Sequence, residues 1–304
     1  MIKLGTRKSP LALIQADLVK AQLLRANPSL DIEIVPILTS GDRDKISPLS
    51  EIGGKGVFIK TLETALLDNT IDIAIHSLKD VTSELEKGLE LSSFLSPEAI
   101  EDCIVFNSKY KTNTLEELPI NAKIGTGSLR RKVLISQTIP TAQFIEIRGN
   151  VETRLQKLES ENIDAIVLSY CGLIRLGLQK KANLILDPEE FIPAPGQGVI
   201  ALETRKNDKQ NKKNALLINS STQEKISRLE LAFLSEIGLD CGYPLGLYTT
   251  FENKKFNCII FLATEDGELQ YEEEIKVDEK DAHNLLISKA IAYKSLLKNE
   301  NPND

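Results

Sequence analysis

The sequence predicts an α/β fold of two lobes with a cleft between them, followed by a small α+β C-terminal domain, and two observations carry that prediction. Short β-type runs alternate with amphipathic helix patterns twice over, first within residues 1–97 and again from about residue 100, which is how a largely parallel sheet is laid down. A Pro/Gly break, Ile192-Pro-Ala-Pro-Gly-Gln-Gly198, then leads into one more strand pattern whose natural place is back in the first sheet, so the chain crosses between lobes twice. The expected boundaries are 1–97 with 196–213 for the first lobe, 98–195 for the second and 214–304 for the C-terminal domain.

Element by element, residues 2–6 read as a strand. Ser9-Pro10 is an N-cap with proline in the first helical position, and Leu11 to Ala26 carries apolar residues at helical spacing. Asp31 to Leu38 alternates as a strand does. A glycine-rich stretch precedes a helix over Phe58 to Leu67, and Ile71 to Ile75 is a short strand. The second series is strand 103–106, strand 122–125, helix 128–137, strand 143–147, helix 151–158 and strand 165–168, with Val199 to Thr204 as the returning strand. A polar stretch, 205–214, separates this from a capping box, Ser221-Thr-Gln-Glu224, that opens a helix running to about Ile237. Three alternating strands (247–251, 256–263, 269–275) and a closing helix over 278–297 complete the chain.

With 304 residues, 41% of them hydrophobic and 27% charged, the chain has material for two or three cores. The first residues pass from short apolar runs straight into a helix pattern. No stretch approaches the roughly 18 apolar residues of a membrane helix, so a cytoplasmic protein without a membrane partner is expected. The cysteines at 103, 171, 241 and 258 form no C-x-x-C pair, so no metal site is expected. Cys103 and Cys258 lie in apolar strand-like runs and should be buried and inert; only Cys241 has turn-like surroundings. Residues 229–304 hold 15 acidic side chains and 7 lysines, net −8, which leaves residues 1–228 at about +1 out of a total of −7. Every arginine lies in that first part, suiting it to a polyanionic small ligand, while the absence of a basic tract argues against nucleic acid.

The arginines recur at strand-to-helix junctions. Gly125-Thr-Gly-Ser-Leu-Arg-Arg131 leaves a strand and enters a helix at Ser128, which aims free backbone N–H groups, Arg130 and Arg131 at one anion. Arg148-Gly-Asn-Val-Glu-Thr-Arg154 repeats the arrangement, and Arg175 follows the next strand. In the first lobe Arg7 and Ser9 stand just past a strand. Each alone reads equally well as a surface arginine; together, at successive strand ends where α/β sheets collect ligands, they read as an anion site. His76-Ser-Leu-Lys-Asp80 places Lys79 and Asp80 at another strand end, where a carboxylate among cations stays ionised and suits charge stabilisation or proton relay. His76 reads as structural. Gly53-Gly-Lys-Gly56 reads as a mobile cover for the cleft, with Lys55 near the anions.

Taken in order, Thr6-Arg-Lys-Ser-Pro-Leu-Ala-Leu13, Gly53-Gly-Lys-Gly-Val-Phe58, His76-Ser-Leu-Lys-Asp80, Gly125-Thr-Gly-Ser-Leu-Arg-Arg131, Arg148-Gly-Asn-Val-Glu-Thr-Arg154 and Pro195-Gly-Gln-Gly198 closely resemble the porphobilinogen deaminase (hydroxymethylbilane synthase) family, over about residues 1–245. The resemblance implies lobes like those of periplasmic binding proteins and a monomeric transferase. Its implied activity is the condensation of four porphobilinogen molecules, with loss of ammonia, on a covalent dipyrromethane primer, followed by hydrolytic release of the linear tetrapyrrole. It further implies that the enzyme assembles this cofactor from its own substrate and holds it as a thioether on Cys241, a role that suits a soft thiolate.

By the same resemblance Asp80 is the catalytic residue. Lys79, Ser9, Ser128, Arg130, Arg131, Arg154 and Arg148 hold the cofactor, while Arg7, Arg148, Arg154, Arg175, Phe58 and Lys55 meet the substrate. The chain departs from the family pattern around the cysteine, where Leu239-Asp240 and Gly242-Tyr243 stand, and at Gly127 and Leu231, where the family has a serine and often an arginine. The alternative function is a solute-binding module that holds an anionic metabolite without transforming it. Such a module needs neither Cys241 nor an acid in the cleft.

Overall fold

The computed structural model describes residues 1–38, 56–82, 84–238 and 243–300. Its contacts divide the chain into two compact units, Met1–Glu98 with Gly196–Ser227 and Ala99–Pro195 with Arg228–Asp304.

The first unit opens with β1 (Ile2–Arg7), α1 (Pro10–Ala26) and β2 (Ile32–Ile37). The Ser9 hydroxyl accepts the Ala12 N–H at 3.4 Å and Pro10 occupies the first turn, so α1 starts where the sequence signals it. After α2 (Gly56–Leu67) come β3 (Ile73–Ser77), a single 3₁₀ turn over Leu78–Asp80, and β4 (Leu89–Phe94). β1 lies parallel to β2 on one side and to β3 on the other. The strand expected over 71–75 is displaced to 73–77 because pairing sets it: Leu4 faces Ile73, and Asp72 caps the junction by accepting the Lys3 N–H at 2.9 Å.

The second unit begins with β5 (Asp102–Phe106), β6 (Lys123–Gly125), α3 (Leu129–Thr138), β7 (Gln143–Ile145), α4 (Val151–Ser160), β8 (Ala165–Ser169), the short α5 (Tyr170–Arg175) and the two-residue β9 (Leu184–Ile185). Here β6 lies parallel to β7 and β8, while β5 runs antiparallel to both β8 and β9, giving the order β7-β6-β8-β5-β9. The chain then returns as β10 (Ile200–Arg205), inserted antiparallel between β3 and β4 in the first sheet, whose order is β2-β1-β3-β10-β4. The two sheets thus share one plan: parallel strands in the order 2-1-3 followed by an antiparallel insertion.

Alternation across β3 explains the layering of the first sheet. Ile73 and Ile75 join Ala16, Val19 and Leu23 of α1 on one face, whereas Ala74 meets Leu62 and Leu66 of α2 on the other. Truncating a fully buried member such as Leu23 to alanine costs about 2–5 kcal/mol by cavity formation.

The polar stretch after β10 holds a helix that its composition conceals, α6 (Lys209–Leu216), capped by Asp208, which accepts the Asn211 N–H at 3.0 Å. Next come α7 (Ser221–Ile237), an antiparallel sheet of β11 (Leu245–Glu252), β12 (Lys255–Ala263) and β13 (Gln270–Asp278), and α8 (Glu279–Glu300). Ile259, Phe261 and Ala263 of β12 share a core with Val133 and Leu134 of α3 and with Ile192. Gly246 lies so close to Ile192 that a Cβ there would meet its side chain and carbonyl at 2.9 Å, and the Leu247 N–H donates to the Pro193 carbonyl at 2.9 Å.

Candidate active site

In the first unit, β1 ends at Arg7 and the adjacent parallel strand β3 ends at Ser77, so Arg7 and Ser9 share a sheet edge with Lys79 and Asp80. The edge is the carboxyl end of the parallel strands at the point where the strand order turns from 1-2 to 1-3, the position at which open α/β sheets bind ligands. Several bonds fix it. Thr6 donates its hydroxyl to the Ala12 carbonyl, the Gln15 amide donates to the Ser77 hydroxyl at 2.9 Å, and the Leu78 N–H donates to the Val199 carbonyl at 2.9 Å. Gly196, at φ +69°, comes so near that a Cβ would lie 2.8 Å from Leu78 Cγ, and Lys79 Nζ donates to the buried Gln197 at 3.4 Å. The segment entering β10 is therefore the wall against which the Asp80 turn rests. His76 is buried behind it, its Nε2 2.8 Å from Glu203 of β10.

In the second unit the same edge gathers the ends of β6, β7 and β8 and the start of the antiparallel β5, since Asp102 pairs with Ser169. Ser128 caps α3, accepting the Arg131 N–H. Arg130 and Arg131 turn inward and share one carboxylate: Asp102 Oδ2 accepts from Arg130 Nη2 at 2.8 Å and Oδ1 from Arg131 Nη2 at 2.6 Å. Arg130 Nη1 also donates to the Ile192 carbonyl at 2.6 Å, and Arg131 Nη1 to the Val167 carbonyl at 3.0 Å. Burial opposes ionisation of Asp102, but the two guanidiniums hold its carboxyl far below the usual range. Burial likewise draws Arg130 below its ordinary value, against the pull of Asp102. Each guanidinium carries five N–H donors, so these bonds engage only part of each fork, and Arg131 Nε is buried without a hydrogen-bond partner among the described residues. Arg148 Nε donates to Glu146 at 2.9 Å and Arg154 Nε to the Gly149 carbonyl at 2.9 Å, while Arg175 closes α5 after β8.

A family model described as "Porphobilinogen deaminase, dipyromethane cofactor binding domain" matches residues 2–213. The porphobilinogen deaminase of Limosilactobacillus reuteri (strain DSM 20016) is 38% identical over 297 residues, covering 97% of this chain and 95% of that protein. The chain belongs to the porphobilinogen deaminase family. The porphobilinogen deaminase of Chlorobium limicola is 39% identical over 272 residues, 90% of this chain and 86% of its own. Among solved structures, a lipoprotein of the YaeC family from Enterococcus faecalis V583 aligns with 75% of this chain and 96% of its own at 14% identity and a TM-score of 0.43.

The residues present fit the cofactor named in the family description. Two linked pyrroles made from porphobilinogen carry acetate and propionate groups, and the edge of the second sheet offers Ser128, the unused N–H donors of the arginine pair and the orphaned Arg131 Nε. Of the residues that the resemblance to porphobilinogen deaminases assigns, Cys241 and Lys55 lie outside the described residues, and Phe58 falls within α2. Cys103, Cys171 and Cys258 are buried, and burial pushes the thiols of Cys103 and Cys258 up to about 12, so neither competes as a nucleophile. Sequence reasoning missed Asp102, Gln197 and Glu203. A signal existed for Asp102, the second of two acids, Glu101-Asp102, at the head of the apolar run Cys103-Ile-Val-Phe106.

Proposed function

We propose that this protein is a porphobilinogen deaminase (hydroxymethylbilane synthase), a transferase of tetrapyrrole biosynthesis. It joins four porphobilinogen molecules head to tail with loss of ammonia and releases the linear product by hydrolysis. The observation that carries this reading is the meeting of Arg7, Lys79 and Asp80 at one carboxyl edge, in a chain matched over nearly its whole length by porphobilinogen deaminases.

The dipyrromethane, held through the Cys241 sulfur, supplies a primer with a free pyrrole α-carbon. Asp80 acts on the incoming substrate: its carboxylate accepts hydrogen bonds from pyrrole N–H. Its charge also stabilises the cation that develops as the C–N bond breaks and the protonated amine leaves as ammonia. The proton displaced when the new C–C bond forms is relayed by the same carboxylate. Lys79, braced by Gln197, adds a cation beside Asp80 for a ligand carboxylate. Ser9, Ser128, Arg130, Arg131, Arg148 and Arg154 hold cofactor carboxylates, and Arg7, Arg148, Arg154 and Arg175 those of substrate and growing chain, with Lys55 and Phe58 completing the substrate contacts. Among the described residues no helix is long and apolar enough to cross a membrane. We propose a cytoplasmic monomer that binds no nucleic acid, organised as two lobes and a C-terminal domain over 214–304.

The test is the intact mass of the protein from cells that make porphobilinogen, beside its Cys241→Ser variant. An excess of two pyrrole units only in the wild type is the expected result. Unmodified wild-type mass, persisting after incubation with porphobilinogen, would refute it and favour the anion-binding module.

A further inference from the structure

Arg130 and Arg131 are placed where cations are hardest to keep. They are adjacent in sequence, they sit in the first turn of α3 at the positive end of its dipole, and their side chains are only 4% and 10% exposed. Burial, mutual repulsion and the dipole all act against them. Among the described residues the group that opposes all three is Asp102, itself fully buried, which gives one oxygen to each guanidinium. Its location is set by the sheet, as the first residue of β5 in register with Ser169. The other hydrogen bonds of the pair, from Arg130 Nη1 to the Ile192 carbonyl and from Arg131 Nη1 to the Val167 carbonyl, run to backbone, so each guanidinium is held at both Nη atoms.

We infer that Asp102 is a positioning residue, which locks Arg130 and Arg131 side by side and halves their combined charge so that their remaining N–H groups are preset for the carboxylates of a bound pyrrole ligand. The inference rests on the deaminase reading above, from which it takes the identity of the ligand. Without the Asp102 charge, two buried guanidiniums share one neutral acceptor, separate, and lose the common orientation that a carboxylate needs from them.

The experiment compares wild type, Asp102→Asn and Asp102→Glu, each purified as the full chain from cells that make porphobilinogen. Circular dichroism reports the fold, and intact mass reports the fraction carrying the two-pyrrole adduct. Asp102→Asn should fold, with a lower Tm, and its loaded fraction should fall about tenfold or more, the equivalent of one charge-assisted hydrogen bond lost from binding. Asp102→Glu, which keeps the charge, should recover loading to within about threefold of wild type, as expected when the charge rather than the exact reach decides. Full loading of folded Asp102→Asn overturns the inference. So does folded Asp102→Glu that loads no better than Asp102→Asn, and so does failure of Asp102→Asn to fold, which would assign the residue to the fold alone. Wild type of unmodified mass defeats the deaminase reading itself, and that outcome is read from a different sample.

Discussion

Gly196 offers a quantitative test of how the Asp80 turn is held. Its φ is +69°, and a Cβ would lie 2.8 Å from Leu78 Cγ and 3.0 Å from Leu78 Cδ2. Gly196→Ala therefore meets two costs: about 1–2 kcal/mol for an L-residue in the left-handed region, and about 1–3 kcal/mol for forcing a buried, well-packed leucine aside. Gly177 supplies the control, because its φ is +70° but a Cβ there would have nothing within 4 Å, so Gly177→Ala meets only the first cost. Urea denaturation of the two variants should place Gly196→Ala lower by about 1–3 kcal/mol. Leu78 immediately precedes Lys79 and Asp80 in the 3₁₀ turn, so displacing it should also lower turnover at saturating porphobilinogen, whereas Gly177→Ala should turn over normally. Equal stability of the two variants, or normal turnover by a folded Gly196→Ala, would refute the idea that the β10 approach segment positions Asp80.

Three further outcomes follow from the same structure. Asp80→Ala should fold and keep Cys241 yet elongate at least about 100-fold more slowly, the usual contribution of a positioned acid–base group, and near-normal turnover in a stopped assay would remove the assigned role. Asp164 is buried, which by itself would raise its pKa, but hydrogen bonds from Lys109, the Lys123 N–H and Tyr110 outweigh burial and depress it. Its stabilising contribution is therefore complete above the unfolded value of about 3.9 and is lost as pH falls through the lower folded value. Urea curves should show Asp164→Asn weaker by about 1–3 kcal/mol at pH 7, with the gap narrowing below about pH 4. The β11–β12 turn puts Asn253 and Lys254 at φ +52° and +59°, the type I′ geometry in which glycine belongs second, so Lys254→Gly should raise stability by about 1 kcal/mol, read as a shift in the urea midpoint.

How far the sequence discloses this architecture depends on whether the decisive interaction is local. The Ser9-Pro10 start of α1, the Ser128 cap of α3 and the end of β1 at Arg7 are set by neighbours in the chain and stand where periodicity and capping place them to within a residue, whereas β7 stops at Ile145, short of Arg148, and Arg175 closes α5. α6 escaped because Lys209-Gln-Asn-Lys-Lys213 has no apolar stripe; only its Asp208 cap betrays it, and Ala215 and Asn214 are its buried contacts. β4 and the shift of β3 are products of pairing, and a register between strands distant in sequence leaves no mark in the hydrophobic pattern of either.

The arginine pair shows the same division within one site. Read locally, Gly125 to Arg131 is an anion-binding turn with two outward cations. Read through the sheet, both guanidiniums reach an acid on β5 brought to them by the pairing of Asp102 with Ser169. These readings are compatible because a guanidinium has more donors than one carboxylate can accept, and because a long side chain without a fixed anchor loses rotamer entropy each time it binds a ligand. Anchoring one side of each fork on Asp102 and on backbone carbonyls meets that entropy cost during folding, so under the proposed function the donors left over would bind a ligand at a smaller penalty. On the proposed function, the internal salt bridge at this edge is thus part of how the anion site would be built.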